Sequence, residues 1–257
     1  MKQEEFFELL ADLDERYIVE AEEPIKSTRK NRKNLLFAVS LVAAACLCLF
    51  IFRGRSIELS HSKGVRASYA TFVPSIGVEA CLVYLTEEEI FKENSDAIFK
   101  GTVTKLDNIK LSFNGDTMYR ALVEVQVEKA YRGTCSEGKT VRMLLPGAVS
   151  ETSHNSIMDT LGELEVGMTG IFMPRAYGID SVYQSNGATL YLGELAPYGF
   201  GDGIRFAFLE TEEGLVFDRS AYVGAKDAMT LEEIEAYIYE MLELYFGEGS
   251  KEQTEAK

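Results

Sequence analysis

Two histidines and four cysteines, set among many carboxylates, are the side chains from which this 257-residue chain would have to build catalysis or metal binding. A Ser/His/Asp hydrolase needs an imidazole lying between a nucleophile and an acid. His61 falls in a linker-like stretch, and "SETSHNSIMDT" around His154 is a polar loop without a nucleophile elbow. A zinc site needs His or Cys pairs close in sequence, and outside the apolar run Leu35–Phe52 there is none. "DNIKLSFNGD" and "GFGDG" hold clustered acids and loop carbonyls but lack the ligand spacing of a calcium loop. Cys46 and Cys48 lie inside the apolar run, where thiols act as small apolar packers. Cys81 and Cys135 form the outer pair and are the candidate disulfide, since an outer surface permits one. Tyr177, Tyr183, Tyr191 and Tyr198 offer rings that could stack on a sugar or peptide, or fill the core or rim of a barrel. The residues predict no cofactor, no metal and a non-enzymatic protein.

The charge is unevenly placed. Residues 54–257 carry 18 basic against 32 acidic side chains. A domain that acidic repels nucleic acid, and no basic stripe with interleaved aromatics offsets it. An acidic, solvated surface is the simplest consequence.

The elements that must carry these residues begin with a span. Leu35 to Phe52 contains no charge, and Ser40 is its one hydroxyl. Eighteen residues at about 1.5 Å each give a helix of roughly 27 Å, close to the hydrocarbon thickness of a bilayer. A cleaved signal would need a shorter, less acidic leader and a small-x-small site, which "FRGRSIELS" does not offer. "VAAAC" places small residues before Cys46 as in a lipoprotein signal, yet Leu47 to Phe52 stay apolar. A permanent anchor is expected over 34–53. Lys26, Arg29, Lys30, Arg32 and Lys33 crowd its N-terminal side, whereas Arg53, Arg55, Lys63 and Arg66 are spread along the other. That asymmetry places the N-terminus in the cytoplasm, with the basic cluster against anionic lipid headgroups.

"LADLDERYIVEAEEPIKSTRKNRKNLLFAVSLVAAACLCLF" resembles an N-terminal segment carried by many uncharacterised single-pass membrane proteins of Gram-positive bacteria. Asp12, Asp14, Tyr17, Ile18, Glu20 and Ala21 match its acidic element, and Ala44, Ala45 and Cys46 its Ala-Ala-Cys step. The Trp usual in the basic cluster of that family is missing, because the chain has no Trp. The likeness covers about a sixth of the chain and implies a cytoplasmic N-terminus.

Within the tail, 1–33, Phe6, Leu10, Leu13 and Tyr17 fall at helical spacing and form one apolar stripe. Glu4, Glu5 and Glu8 occupy the first turns, where the helix dipole favours acids. An isolated helix of this length is marginal in water, so it either folds on a cytoplasmic partner or stays partly disordered. Some tails so placed belong to anti-sigma factors, although the His-x-x-x-Cys-x-x-Cys signature of one such class is absent.

Beyond a linker over 54–70 the period changes to two, and 71–247 is expected to form one domain. Thr86 and Glu89 spell a capping box for a short helix, followed by a strand over 95–106. "NIKLSFNGDTMYRALVEVQVEKAYRG" predicts a hairpin turning at Asn114-Gly115. In its second arm Tyr119, Ala121, Val123, Val125 and Val127 should be buried, and the even-numbered residues, among them Arg120, Glu124, Gln126 and Glu128, largely exposed. Further strands are expected at 139–146, 169–175, 188–195, 204–210 and 215–219, the last pair turning at Glu213-Gly214. Thr230 and Glu233 form a second capping box, opening a helix that ends before Gly247. Residues 248–257 read as a frayed tail.

So many strands with one terminal helix suggest a closed or nearly closed barrel, because closure removes exposed edges. Asp96, Gly101, Val103, Val125, Val127, Gly133, Gly138 and Val141 carry a pattern that resembles netrin-like barrels of the oligonucleotide/oligosaccharide-binding (OB) type. The Cys-x-Cys start and disulfides of the protease-inhibiting members are missing, so inhibition does not carry over. The expected protein is mainly β with flanking helices (α+β): an N-terminal cytoplasmic helix, one transmembrane helix, and an extracytoplasmic OB-like β-barrel with a C-terminal helix. Its expected partners are membrane lipid, a cytoplasmic protein at the tail and an outer ligand of unknown identity.

Overall fold

The computed structural model describes residues 56–74, 82–150 and 158–247. The tail stripe of Phe6, Leu10, Leu13 and Tyr17, the basic cluster of Lys26, Arg29, Lys30, Arg32 and Lys33, and the apolar run lie outside the described residues, as do Cys81, His154 and 248–257. Among the described residues no helix is long and apolar enough to cross a membrane. The chain divides into two compact units, Met1–Phe52 and Arg53–Lys257, and the described residues all belong to the second.

This second unit is mainly β with a C-terminal helix. The hairpin read from the Asn-Gly step is its spine: β3 (Ile98–Phe113) and β4 (Asp116–Arg132) turn at Asn114 (φ 45°) and Gly115 (φ 117°). The two segments expected upstream of the turn are one continuous strand, broken in register at three bulges that bend it. Two short strands precede the hairpin, β1 (Ser56–Ile57) and β2 (Val65–Tyr69). After it come β5 (Thr140–Leu144), β6 (Thr169–Phe172), β7 (Arg175–Ala176), β8 (Val182–Ser185) and β9 (Ala188–Tyr191). β10 (Tyr198–Gly199), β11 (Ala207–Thr211) and β12 (Gly214–Val216) complete the strands. The stretch read as a linker over 54–70 therefore carries β1 and β2. Its weak alternation hides a strand that forms by pairing Val65–Tyr69 with Ile109–Phe113.

The main sheet runs β12-β11-β6-β3-β4-β5-β10-β7, with β2 added to β3 and β1 to β2. Among the described residues it is open: β12 and β7 each have a single neighbour. The expected closed or nearly closed OB-like barrel is not seen in these strands. The outer edge of β3 is divided, β6 taking Phe99–Thr102 and β2 taking Ile109–Phe113, so the ladder branches rather than running round. β8 and β9 form a separate hairpin over a second Asn-Gly turn, Asn186-Gly187.

Two helices cover one face. α1 (Glu87–Lys92) and α2 (Leu231–Phe246) both start at the expected capping boxes, Thr86/Glu89 and Thr230/Glu233. Ile90, Phe91, Ile234, Ile238 and Leu242 pack on Phe99, Val103, Val123, Val125 and Phe172 to form the larger core. α2 is also latched by charge. Glu235 accepts from Lys100 Nζ at 3.0 Å and Lys129 Nζ at 2.7 Å. Burial raises the Glu235 pKa, but the two ammonium groups outweigh it and the net shift is downward.

On β4, Ala121, Val123, Val125 and Val127 are buried as expected, while Tyr119 is only half-buried. The other face departs from the alternation rule. Leu122 is 2% exposed, Arg120, Glu124 and Gln126 are half-buried, and Glu128 alone among these is fully exposed. The reason is a second core, in which Ile109, Leu111, Phe113, Leu122 and Leu144 pack under Ala188 and Leu190 of the β8–β9 hairpin. Val125→Ala should cost about 1–3 kcal/mol, because it removes apolar contacts and leaves a partial cavity. Glu124→Ala should fall within about 0.5 kcal/mol of the parent. Denaturant unfolding of the two variants checks the pair, and a larger loss for Glu124→Ala would contradict the observed facing of β4.

Candidate functional site

Of the four tyrosines singled out in the sequence, the fold brings two together. Tyr177 and Tyr183 both pack against the second core, Tyr183 with its ring centre 5.3 Å from that of Phe113. Tyr198 lies elsewhere, its hydroxyl 2.6 Å from Thr134 Oγ1. Tyr191 meets His61 edge-on at 6.4 Å. Cys135 is buried and bonded to no described cysteine, burial pushes its thiol pKa up, and Cys81, its expected disulfide partner, lies outside the described residues.

His61 belongs to a clip that the sequence did not disclose. β9 passes into a 3-10 turn, Leu192–Glu194, which presents the Glu194 carboxylate to the loop before β2. Glu194 accepts from the backbone N–H groups of Ser60, His61 and Ser62 and from Ser62 Oγ. His61 Nδ1 lies 3.3 Å away, and Ser62 Oγ in turn accepts from Tyr191 N at 3.0 Å. Serine, histidine and carboxylate thus meet, but in the wrong order for a hydrolase. The serine bonds the acid directly, and the imidazole, 79% exposed, does not stand between them. The chemistry available here is anchoring.

That anchor should be sensitive to acid. Burial raises the Glu194 pKa, but hydrogen bonds from the Ser62 hydroxyl and the three amides overcome this and hold it at about 2, below its ordinary 4.5. A group with a depressed folded pKa adds stability that is present above the unfolded value and lost as pH falls through the folded one. The contribution of Glu194 should therefore be complete above about pH 4.5 and fade toward pH 2. Comparing Glu194→Gln with the parent across pH 2–7 by thermal unfolding measures it. Their difference should shrink as the pH drops, and a constant difference would rule the clip out as its source.

The second arrangement centres on Arg120. On β4 it stands between Met118 and Leu122, opposite Ile109 of β3, on the face covered by the β8–β9 hairpin. Its guanidinium carbon lies 5.8 Å from the Tyr183 ring centre. Tyr177 is held nearby because β10 offers a glycine: a Cβ on Gly199 would fall 1.9 Å from the Tyr177 hydroxyl. Arg120 is half-buried, and desolvation lowers its pKa, opposed by the fields of Tyr177 and Tyr183. Among the described residues it makes no hydrogen bond or ion pair, and none of its nitrogens is a buried atom left without a partner. Tyr183 also lines a cleft of about 220 Å³, together with Phe113, Asp116, Thr117, Met118 and Ser185. The alternation rule assigned Arg120 to the solvent face. Its apolar neighbours Met118 and Leu122, two residues away on either side, were the readable sign that this face is covered.

Two further clefts flank the β11–β12 turn, one of about 440 Å³ reaching Asp159, Glu163 and Glu165, the other of about 300 Å³ reaching Glu210 and Glu232. No group of three His, Cys, Asp or Glu among the described residues is placed to hold a metal ion. In the "GFGDG" loop, Asp202 is already committed. It accepts from the N–H groups of Ile204 and Arg205 and pairs with the Arg205 guanidinium at 2.6 Å. Compared with known proteins, the chain matches no family model, no curated protein and no solved structure.

Proposed function

We propose that the protein is a single-pass, membrane-anchored, non-enzymatic binding or sensing module of a bacterial cell envelope, with its N-terminus cytoplasmic and the β-rich unit outside. The observation that carries this reading is the uncharged run Leu35–Phe52 behind a dense basic cluster, followed by a self-contained unit over Arg53–Lys257. The likeness of residues 10–50 to the N-terminal segment of Gram-positive single-pass proteins supports it. We also relate the β-rich unit to OB-type barrels, as a version opened along one side, on the strength of its bulged hairpin and of Gly101, Gly133 and Val125 in the matching pattern. Protease treatment of intact protoplasts expressing the full chain with an epitope at each end tests the topology. Loss of the C-terminal epitope with retention of the N-terminal one is expected, and the opposite outcome reverses the orientation.

The stripe of Phe6, Leu10, Leu13 and Tyr17 favours a second, compatible role, in which the tail docks a cytoplasmic regulator such as a sigma factor. A partner retained by residues 1–33 and lost with Phe6→Asp/Leu10→Asp would support it. Retention of nothing would count against it.

A further inference from the structure

From the placement of Arg120, we propose that the β-rich unit holds a small organic carboxylate, with the anion on the Arg120 guanidinium and the body of the ligand along Met118, Phe113 and Tyr183. The proposal rests on reading the unit as a binding module and names the class of its ligand.

An ion drawn partly out of water is costly unless it is paired, and a cation–π contact offsets only part of that cost. Arg120 is half-buried and keeps the Tyr183 contact, but none of its donors meets a protein acceptor among the described residues. Its neighbours on the same face, Met118 and Leu122, show what would pack there at no such cost. Three other partly or fully buried cations of the unit are treated differently. Arg205 has Asp202, Lys100 has Glu235, and Arg132 donates to the carbonyls of Phe91 and Ser95 at 2.7 Å each. Arg120 differs from these three, as does Arg142, whose buried Nε has no hydrogen-bond partner among the described residues, and the N–H fork of Arg120 is engaged by no described residue. That fork matches a planar carboxylate bidentately. A cleft of about 220 Å³, which shares with Arg120 the Tyr183 ring, has room for a body of roughly one aromatic ring and is lined by Phe113, Met118 and Tyr183 together with the polar Asp116, Thr117 and Ser185. Asp116 in the same lining, accepting from Ser185 Oγ at 3.3 Å, disfavours a second anionic group there. A monoanion with an apolar body is the complementary shape.

Benzoate is a suitable probe, benzamide its neutral isostere, and inorganic phosphate a competing oxyanion. The full chain, purified in detergent, is titrated with each by ligand-observed NMR. Saturable benzoate binding below about 10 mM, with benzamide at least tenfold weaker, is expected. Arg120→Met should weaken benzoate at least about tenfold, and Arg120→Lys, which keeps the charge but not the fork, by an intermediate factor. If Arg120→Met does not fold, as judged by its unfolding transition, the Lys variant decides. Benzoate bound equally by the variant and the parent, benzamide bound as well as benzoate, phosphate bound in preference to benzoate, or no saturation at about 10 mM would each overturn the proposal. This titration does not depend on orientation, so a reversed protoplast result would sink the topology and leave the site standing. A failed titration with the expected topology would sink the site alone.

Discussion

Replacing Asp202 with alanine should destabilise the protein by about 3–5 kcal/mol, the usual cost of removing one partner from a buried ion pair. Asp202 is 2% exposed and the Arg205 side chain 10%. Without the carboxylate, the guanidinium would keep one bond, from its Nη1 to the Val83 carbonyl at 2.8 Å, and its charge would be uncompensated. The same change strips the acceptor from Ile204 N and Arg205 N, which now close the loop at 3.0 and 2.9 Å. Asp202→Ala/Arg205→Met separates these effects. Taking away the charge should recover a large part of the loss, since a buried pair replaced by apolar side chains is often near neutral. The deficit that persists should be the two loop hydrogen bonds. Denaturant unfolding of the full chain, followed by tyrosine near-UV circular dichroism, measures both variants. A double variant no more stable than the single one would show that the loop, rather than the stranded charge, carries the cost.

Tyr222→Ala should cost a similar amount, about 3–5 kcal/mol, for a different reason. Tyr222 is completely buried at the centre of an aromatic group, with its ring centre 4.8 Å from Phe208 and 6.2–6.4 Å from Tyr237, Phe91 and Phe217. Truncation would remove the contacts that join α1 and α2 to β11, and rings held from several elements cannot all collapse into the gap. Tyr222→Phe keeps the ring and loses only the hydroxyl, which donates to the Arg205 carbonyl. Its cost should be about 1–3 kcal/mol, the penalty for one buried acceptor left unpaired. Because that carbonyl belongs to the loop closed by Asp202, the two sites share a partner, and Asp202→Ala/Tyr222→Ala should cost less than the sum of the singles. Additive losses within about 0.3 kcal/mol would mean that the loop and the aromatic centre fold independently.

What could be read from residue order was local. Both capping boxes form at the predicted residues, because Thr86/Glu89 and Thr230/Glu233 satisfy the amides of their own first turn and need nothing distant. The turn at Asn114-Gly115 forms for the same reason, as both residues adopt the positive φ that a tight hairpin requires. Alternation correctly assigned Ala121, Val123, Val125 and Val127, whose face meets the larger core. It failed at Leu122 and Arg120, because a period of two assumes one wet face, and here the β8–β9 hairpin covers the other. β2 escaped notice because "VRASY" is a strand only when Ile109–Phe113 is there to pair with it. The open sheet was likewise invisible, since whether a ladder closes depends on which strands share the edge of β3. The candidate sites follow the same division. Arg120 was legible as a residue but not as a desolvated one, and Glu194 reaches a serine 132 positions away in sequence. Caps, turns and alternation act within a few residues and are written into the order of the chain. Desolvation, long-range carboxylate clips and the facing of β4 depend on what the fold lays against each side chain, and only the tertiary structure decides that.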